Sequence, residues 1–205
     1  MRPDSAGARL TLVLLGAPLA SRLTAQVAVG VQAGVRYSST LVSDSIVAPF
    51  TMRPALAPVV AITLAERREH SWIPTVTLDF STSNLTRHDA DGTTASLSQV
   101  TTIAFTVGLT RALPGGFSAG IGVGGLKYLP SEDTGIFQSG SGAIAGVGAL
   151  TLGHPLPIGR QRFTLAARYD IHGFTTPALE EEGFHGLRAV HRVALTLRTA
   201  WGAGR

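Results

Sequence analysis

The chain has no cysteine in its 205 residues. That excludes a disulfide framework, a thiolate metal site and a lipid-modified cysteine anchor. Charge is scarce too, at 15% against the ~25% of an ordinary soluble domain. Aromatic residues make up only 6% although hydrophobic types reach 44%. Such a chain has little of the large-residue material from which a soluble core is packed. Nowhere after the first 25 positions do 18 consecutive apolar residues occur, so no membrane-spanning helix is predicted. No run of Lys or Arg marks a nucleic-acid partner.

The first 25 residues read as a secretory leader. Arg2 and Arg9 give a basic start, Leu10 to Ala20 an apolar run, and Ala25 before Gln26 a cleavage point. An apolar run of this length, broken by Pro18, is too short to span a bilayer. Cleavage would remove Arg2, Arg9, Arg22 and Asp4. That leaves 14 of the 17 basic and 12 of the 13 acidic residues, a net charge of +2 instead of +4.

What the chain does have is alternation. In the last segment Val193, Leu195, Leu197 and Trp201 fall on one face; Arg192, Ala194, Thr196 and Arg198 fall on the other. This period of two is that of a strand. The same pattern occurs over 26–37, 55–65, 71–81, 98–110, 117–128 and 163–172. A further strand at 143–152 has no clear facing, because Gly and Ala occupy both sides. Eight strands result, each about as long as the ~9–11 residues that cross a bilayer at a tilt. Long apolar groups on one side and small or charged groups on the other imply an apolar outside and a polar inside. A soluble barrel or sandwich would instead bring Val76, Phe105, Val193 and Leu195 together in a dry centre.

The predicted connections alternate without exception. Segments 38–54, 82–97, 129–142 and 174–189 are long; 66–70, 111–116 and 153–162 are short. Outer-membrane barrels have an even strand number, short periplasmic turns and long extracellular loops. The aromatics sort by strand direction. Trp72, Phe117, Phe163 and Trp201 fall at the periplasmic level of the lipid face, and Tyr37 and Phe80 towards the other end. That is the expected pair of interfacial girdles. The fold predicted is therefore all-β: an eight-stranded antiparallel up-and-down transmembrane β-barrel over 26–201, followed by a short extension, 202–205.

On Gly30-Val-Gln-Ala-Gly-Val-Arg-Tyr37 in the first strand and Arg192-Val-Ala-Leu-Thr-Leu-Arg-Thr-Ala-Trp201 in the last, the chain resembles eight-stranded outer-membrane barrels of the OmpA/OmpX and opacity type. The resemblance covers essentially 26–201. It implies residence in the outer membrane of a Gram-negative-type bacterium, as a monomer surrounded by lipid and lipopolysaccharide. It also implies that barrel-assembly machinery and periplasmic chaperones handle the chain during biogenesis. Family members usually end at a terminal aromatic, whereas here Gly202 to Arg205 follow Trp201.

Seven polar groups are predicted to face inward: Arg36, Asp79, Arg168, Asp170, His172, Arg192 and Arg198. Asp170 is expected close to Arg192 or Arg36, because a charge taken out of water needs a partner. The resulting expectation is a structural plug, with a gate or an active site as the competing reading. Asp170 and His172 share a face, as an acid–base pair would, but no nucleophile can be placed beside them, Ser118 included. Barrel lipases carry a His-x-Ser pair, and none of the six histidines here is followed two positions later by Ser.

Other patterns weigh little. Asp89-Ala-Asp-Gly92 looks like half a calcium loop but has Val100 where a bidentate Glu would stand, so it reads as a turn. Gly120 to Gly125 alternates with Ile121 and Val123 inside a strand and leads into no helix, so it is not a phosphate loop. Asn84-Leu-Thr86 matches a glycosylation acceptor without a fitting context, and Glu180 to Glu182 reads as a solvated face. No catalytic residue, metal or cofactor is assigned. The leading expectation is a non-enzymatic barrel acting through its long loops; a lipid A or phospholipid-modifying enzyme and a narrow pore are the alternatives.

Overall fold

The computed structural model describes residues 27–44, 49–66, 72–133, 135–140, 142–158, 161–183 and 186–201. The leader expected over 1–25 and the extension 202–205 lie outside the described residues. Ten strands follow in chain order: β1 (Val27–Ser38), β2 (Val42–Asp44), β3 (Phe50–Pro54), β4 (Ala57–Glu66), β5 (Ile73–Asp89), β6 (Thr94–Ala112), β7 (Ser118–Pro130), β8 (Ala145–Ile158), β9 (Gln161–Phe174) and β10 (Arg188–Trp201). One short helix, α1 (Pro177–Glu181), precedes β10, and a 3-10 turn spans Gly135–Phe137.

Eight of these strands close a ring in which every neighbour is antiparallel. The order β1, β4, β5, β6, β7, β8, β9, β10 returns to β1, where Val29 lies opposite Trp201 and Ser38 opposite Arg192. Closure leaves no strand edge in the wall, so the peptide groups there are paired without water.

Side-chain direction follows the alternation. Val193, Leu195 and Phe105 are each about half exposed and point outward, as do Ile62, Val107, Ile121 and Leu152. Val123 is 70% exposed, which no soluble core position would be. Alternate positions face in: Arg36, Thr63, Thr77, Asp79, Thr106, Asp170, His172, Arg192 and Thr196 are all buried. The ambiguous strand β8 resolves the same way, with Val147 and Ala149 inward and Leu150 and Leu152 outward. Lumen packing decides there, because Gly and Ala carry no facing signal of their own.

Three expectations need correction. Segment 82–97 is not a loop: β5 and β6 run on as a hairpin past the point where β4 stops pairing, at Val59 opposite Ser81, and turn only at 90–93. Segment 38–54 contains β2 and β3, and β3 adds to this hairpin with Phe50 opposite Asp89. The four strands form a blade above the ring. Its Thr-rich alternation is itself a strand pattern, and β5 at 17 residues is longer than a bilayer requires. A bulge marks where the blade leaves the ring: pairing steps from Asn84–Gln99 to Thr86–Ser96, leaving one extra residue in β6. Lastly, the expected turn 153–162 is much shorter, since β8 reaches Ile158 and β9 begins at Gln161.

Inward glycines in the ring do more than widen the lumen. A Cβ at Gly124 would lie 1.9 Å from the Phe105 carbonyl oxygen, and one at Gly34 would lie 2.0 Å from that of Leu195. Neighbouring backbones approach at these points as the sheet curls into a narrow cylinder, which only glycine permits. Gly146 meets nothing within 4 Å. Gly124→Ala is therefore expected to destabilise the folded barrel by about 1–3 kcal/mol, the range for overpacking. Gly146→Ala should be nearly neutral. Urea unfolding of the two variants in lipid vesicles checks the contrast.

Candidate functional site

Most of the charge on the inner wall collects in the middle of the lumen, below the end that carries the blade (the upper end). Arg36 comes from β1, Asp79 from β5, Arg168 and Asp170 from β9, and Arg192 from β10. Arg36 Nη1 donates to Asp79 Oδ1 at 2.6 Å, and Arg192 Nη2 donates to the same oxygen at 3.5 Å. Arg168 Nε donates to Asp170 Oδ1 at 2.7 Å, while its Nη atoms reach the Thr106 hydroxyl at 3.3 Å. Longer contacts of 3.9 Å join Arg36 to Asp170 and Arg168 to Asp79.

The expected neighbours of Asp170 are thus present. Arg36 lies within ion-pair distance, and Arg192 is its backbone partner across the β9–β10 ladder. The tightest partner was not anticipated. Arg168 stands two residues before Asp170 on the same face, so its long stem curls along the strand to the carboxylate. Asp79 sits where three guanidiniums converge, which no spacing along the chain reveals.

Above the charges lies an apolar layer that the alternation alone does not suggest. Leu85, Val100, Ala104, Leu126, Val147 and Val190 face inward and are buried. They meet side chains that the connections fold over the mouth: Leu41, Val42, Met52, Ile136, Phe137 and Leu179. Phe137 is fully buried, with Tyr128 and Phe174 rings 6.3 and 6.2 Å away. Thr176 caps α1 by accepting from the Leu179 N–H and donates its hydroxyl to the Ile136 carbonyl at 2.6 Å. Two long connections are thereby tied together. The expected free loops 129–142 and 174–189 are in large part a lid, because they carry apolar residues that water would not accommodate.

His172 forms the seam between the two layers. Its Nε2 lies 2.8 Å from the Tyr128 hydroxyl. It is not poised beside Asp170 as an acid–base pair, and Ser118, at the start of β7, sits at the far end of the barrel. Arg198 is lower in the lumen and apart from the charge cluster. Among the described residues no carboxylate pairs with it.

On the outer surface Trp72, Phe117, Tyr37 and Phe80 are exposed, and Phe163 is half-buried. The Trp201 side chain lies outside the described residues. Phe117 packs on His154 at 4.5 Å, and the Arg111 guanidinium lies over Trp72 at 5.9 Å. An outward pair missed in the sequence, Tyr169 and His191, stacks with the hydroxyl 2.6 Å from Nδ1. At the blade tip Gly92 takes a φ of 87°, and Thr93 donates its hydroxyl and N–H to Asp91. Those two bonds hold the Asp91 carboxyl below its ordinary range. The sequence Asp89 to Gly92 is thus a turn. Glu180 and Glu181 accept from Thr175 and Ser139, which makes them part of the lid.

No protein-family model matches the chain, and no curated protein matches it in sequence. Solved structures do match in shape. Neisserial surface protein A (NspA) aligns over 85% of this chain and 95% of its own, with a TM-score of 0.53 and 10% identity. The outer membrane protein AlkL aligns over 88% and 92%, with a TM-score of 0.51 and 10% identity. At that identity the shared property is the fold, that of outer-membrane barrels of eight strands.

The charge layer makes a direct prediction. Asp79→Ala leaves three buried guanidiniums facing one carboxylate. It is expected to cost about 3–5 kcal/mol, as for other broken buried pairs. Arg87→Gln breaks the 2.7 Å Arg87–Asp89 pair, which is about a third exposed, and should cost under ~1 kcal/mol. Denaturant midpoints of the refolded variants measure both.

Proposed function

We propose that this chain is a non-enzymatic outer-membrane barrel with a closed lumen, acting through the blade and lid that it presents outside the cell. It resides in the outer membrane of a Gram-negative-type bacterium, as a monomer surrounded by lipid and lipopolysaccharide. It reaches that membrane through periplasmic chaperones and the barrel-assembly machinery. The upper end is then extracellular and the lower end periplasmic. The apolar outer band and the closed ring support the membrane assignment, as does the likeness in fold to NspA and AlkL.

The observation that carries the functional reading is the stacked closure of the lumen. An apolar lid lies on a network of three arginines and two aspartates. A pore would need both layers to open. A hydrolase would need a nucleophile within reach of His172 or Asp170, and their near partners are instead Tyr128 and Arg168. The blade offers polar surface well above the band: Arg87 and Asp89 pair there, and Arg87 also covers the Phe50 ring at 4.5 Å.

One preparation tests this. Refolded, heat-modifiable protein is expected to give no channel steps in planar bilayers and to release no fatty acid from phospholipid or lipopolysaccharide. Phe137→Ala should stay silent as well, because the charged layer below the lid remains. Discrete conductance or fatty-acid release by the wild-type protein overturns the reading. Trimming the blade to a short turn at 85–97 should leave heat-modifiability intact and abolish attachment of expressing cells to surfaces. Unchanged attachment would remove the blade from the function.

A further inference from the structure

The lower lumen holds a small polar cavity of about 50 Å³. Arg198 and Arg168 line it with the hydroxyls of Thr110, Ser118, Thr151 and Thr164. That volume takes a few water molecules, or a small ion with some of its water. Charge in the lumen is unbalanced. The described inward side chains of the ring include four arginines (Arg36, Arg168, Arg192, Arg198) and two aspartates (Asp79, Asp170), a surplus of two positive charges. Both aspartates are taken up in the upper cluster. Arg198 has no ion pair or hydrogen bond among the described residues.

Two inward glycines, Gly120 and Gly153, line this cavity, and a third, Gly30, lies against the Arg198 stem. A Cβ at Gly30 would lie 3.5 Å from Arg198 Cδ, so the arginine stem lies across it. A Cβ at Gly120 would come within 2.9 Å of the Thr110 hydroxyl. A Cβ at Gly153 would come 2.7 Å from the Ser118 hydroxyl and 3.1 Å from Thr164 Cγ2. Each glycine leaves space beside a polar group that lines the cavity. A guanidinium fork among hydroxyls, with no acidic partner among the described residues, suits an acceptor with several oxygens better than a cation or an apolar group.

We propose that the lower lumen is a binding site for a small oxyanion of the phosphate class, held by Arg198 and completed by the Ser118, Thr110 and Thr164 hydroxyls. The outer-membrane reading bears on it only in naming the periplasm as the source of the anion. The site neutralises part of the lumen's surplus charge, so occupancy also stabilises the barrel.

Full-length refolded protein in detergent, titrated with inorganic phosphate at constant ionic strength, provides the test. Phosphate should raise the unfolding temperature in a saturable way and broaden the ³¹P resonance; chloride at equal ionic strength should do neither. Arg198→Gln removes a charge-assisted bond and should weaken phosphate binding about tenfold or more. Gly153→Ala keeps the strand, since the atom its Cβ meets at 2.7 Å is the rotatable Ser118 hydroxyl and not backbone, and it partly fills the cavity; it should weaken binding with heat-modifiability unchanged. Should Arg198→Gln fail to fold, Gly153→Ala alone decides the matter. A phosphate effect equal to that of chloride, or undiminished binding by folded Gly153→Ala, overturns the proposal.

Discussion

The ring depends on one pairing, that of the first strand of the wall with the last. Ten residue pairs, from Val29–Trp201 to Ser38–Arg192, join segments more than 150 positions apart. Without them β1 and β10 would each present a row of bare N–H and C=O groups to hydrocarbon, at several kcal/mol per group. With them the sheet has no wall edge, and the exposed Val, Leu and Ile of the outer face become an asset. The same constraint sets the curvature. A cylinder this narrow brings backbones together at Gly34 and Gly124, where no side chain fits.

Closure in turn decides the chemistry of the lumen. Charges drawn into a narrow space must be paired, and Asp79 serves Arg36 and Arg192 on one oxygen while Arg168 approaches the other. The lumen is not uniform along its axis. Its upper part is apolar and covered by Phe137, Leu179 and Met52; its middle is ionic; its lower part is hydroxyl-lined around Arg198, which has no ion pair among the described residues. The lid sets apolar side chains over the mouth, and the ion cluster pairs Asp170 with Arg168. The ionic middle also keeps hydrogen-bonding capacity: among the described residues Arg36 Nε, Arg192 Nε and Nη1, Asp79 Oδ2 and His172 Nδ1 are buried without a hydrogen-bond partner.

Much of this was legible in the residues. Alternation in β10 named Arg192, Thr196 and Arg198 as inward and Val193 and Leu195 as outward, and the structure places all five so. Period two maps directly onto facing once a strand is pleated. The blade is not legible in the residues because the Thr- and Ser-rich alternation in 82–97 has no apolar face to set it apart from a polar loop. The lid was missed for a related reason. Leu41 and Met52, Ile136 and Phe137, and Leu179 are sparse apolar residues in three polar connections, and nothing local says that these connections share one cover.

By itself the sequence determined that this chain is a strand-built barrel with its apolar side chains turned outward, because facing is a local property repeated every two residues. Which charges meet, which connections cover the mouth and how far Arg198 stands from the charge cluster were decided only by the tertiary structure. Those are contacts between residues such as Arg36 and Asp79, 43 positions apart, whose distance is set by the register and curvature of the closed ring and by nothing in either segment alone.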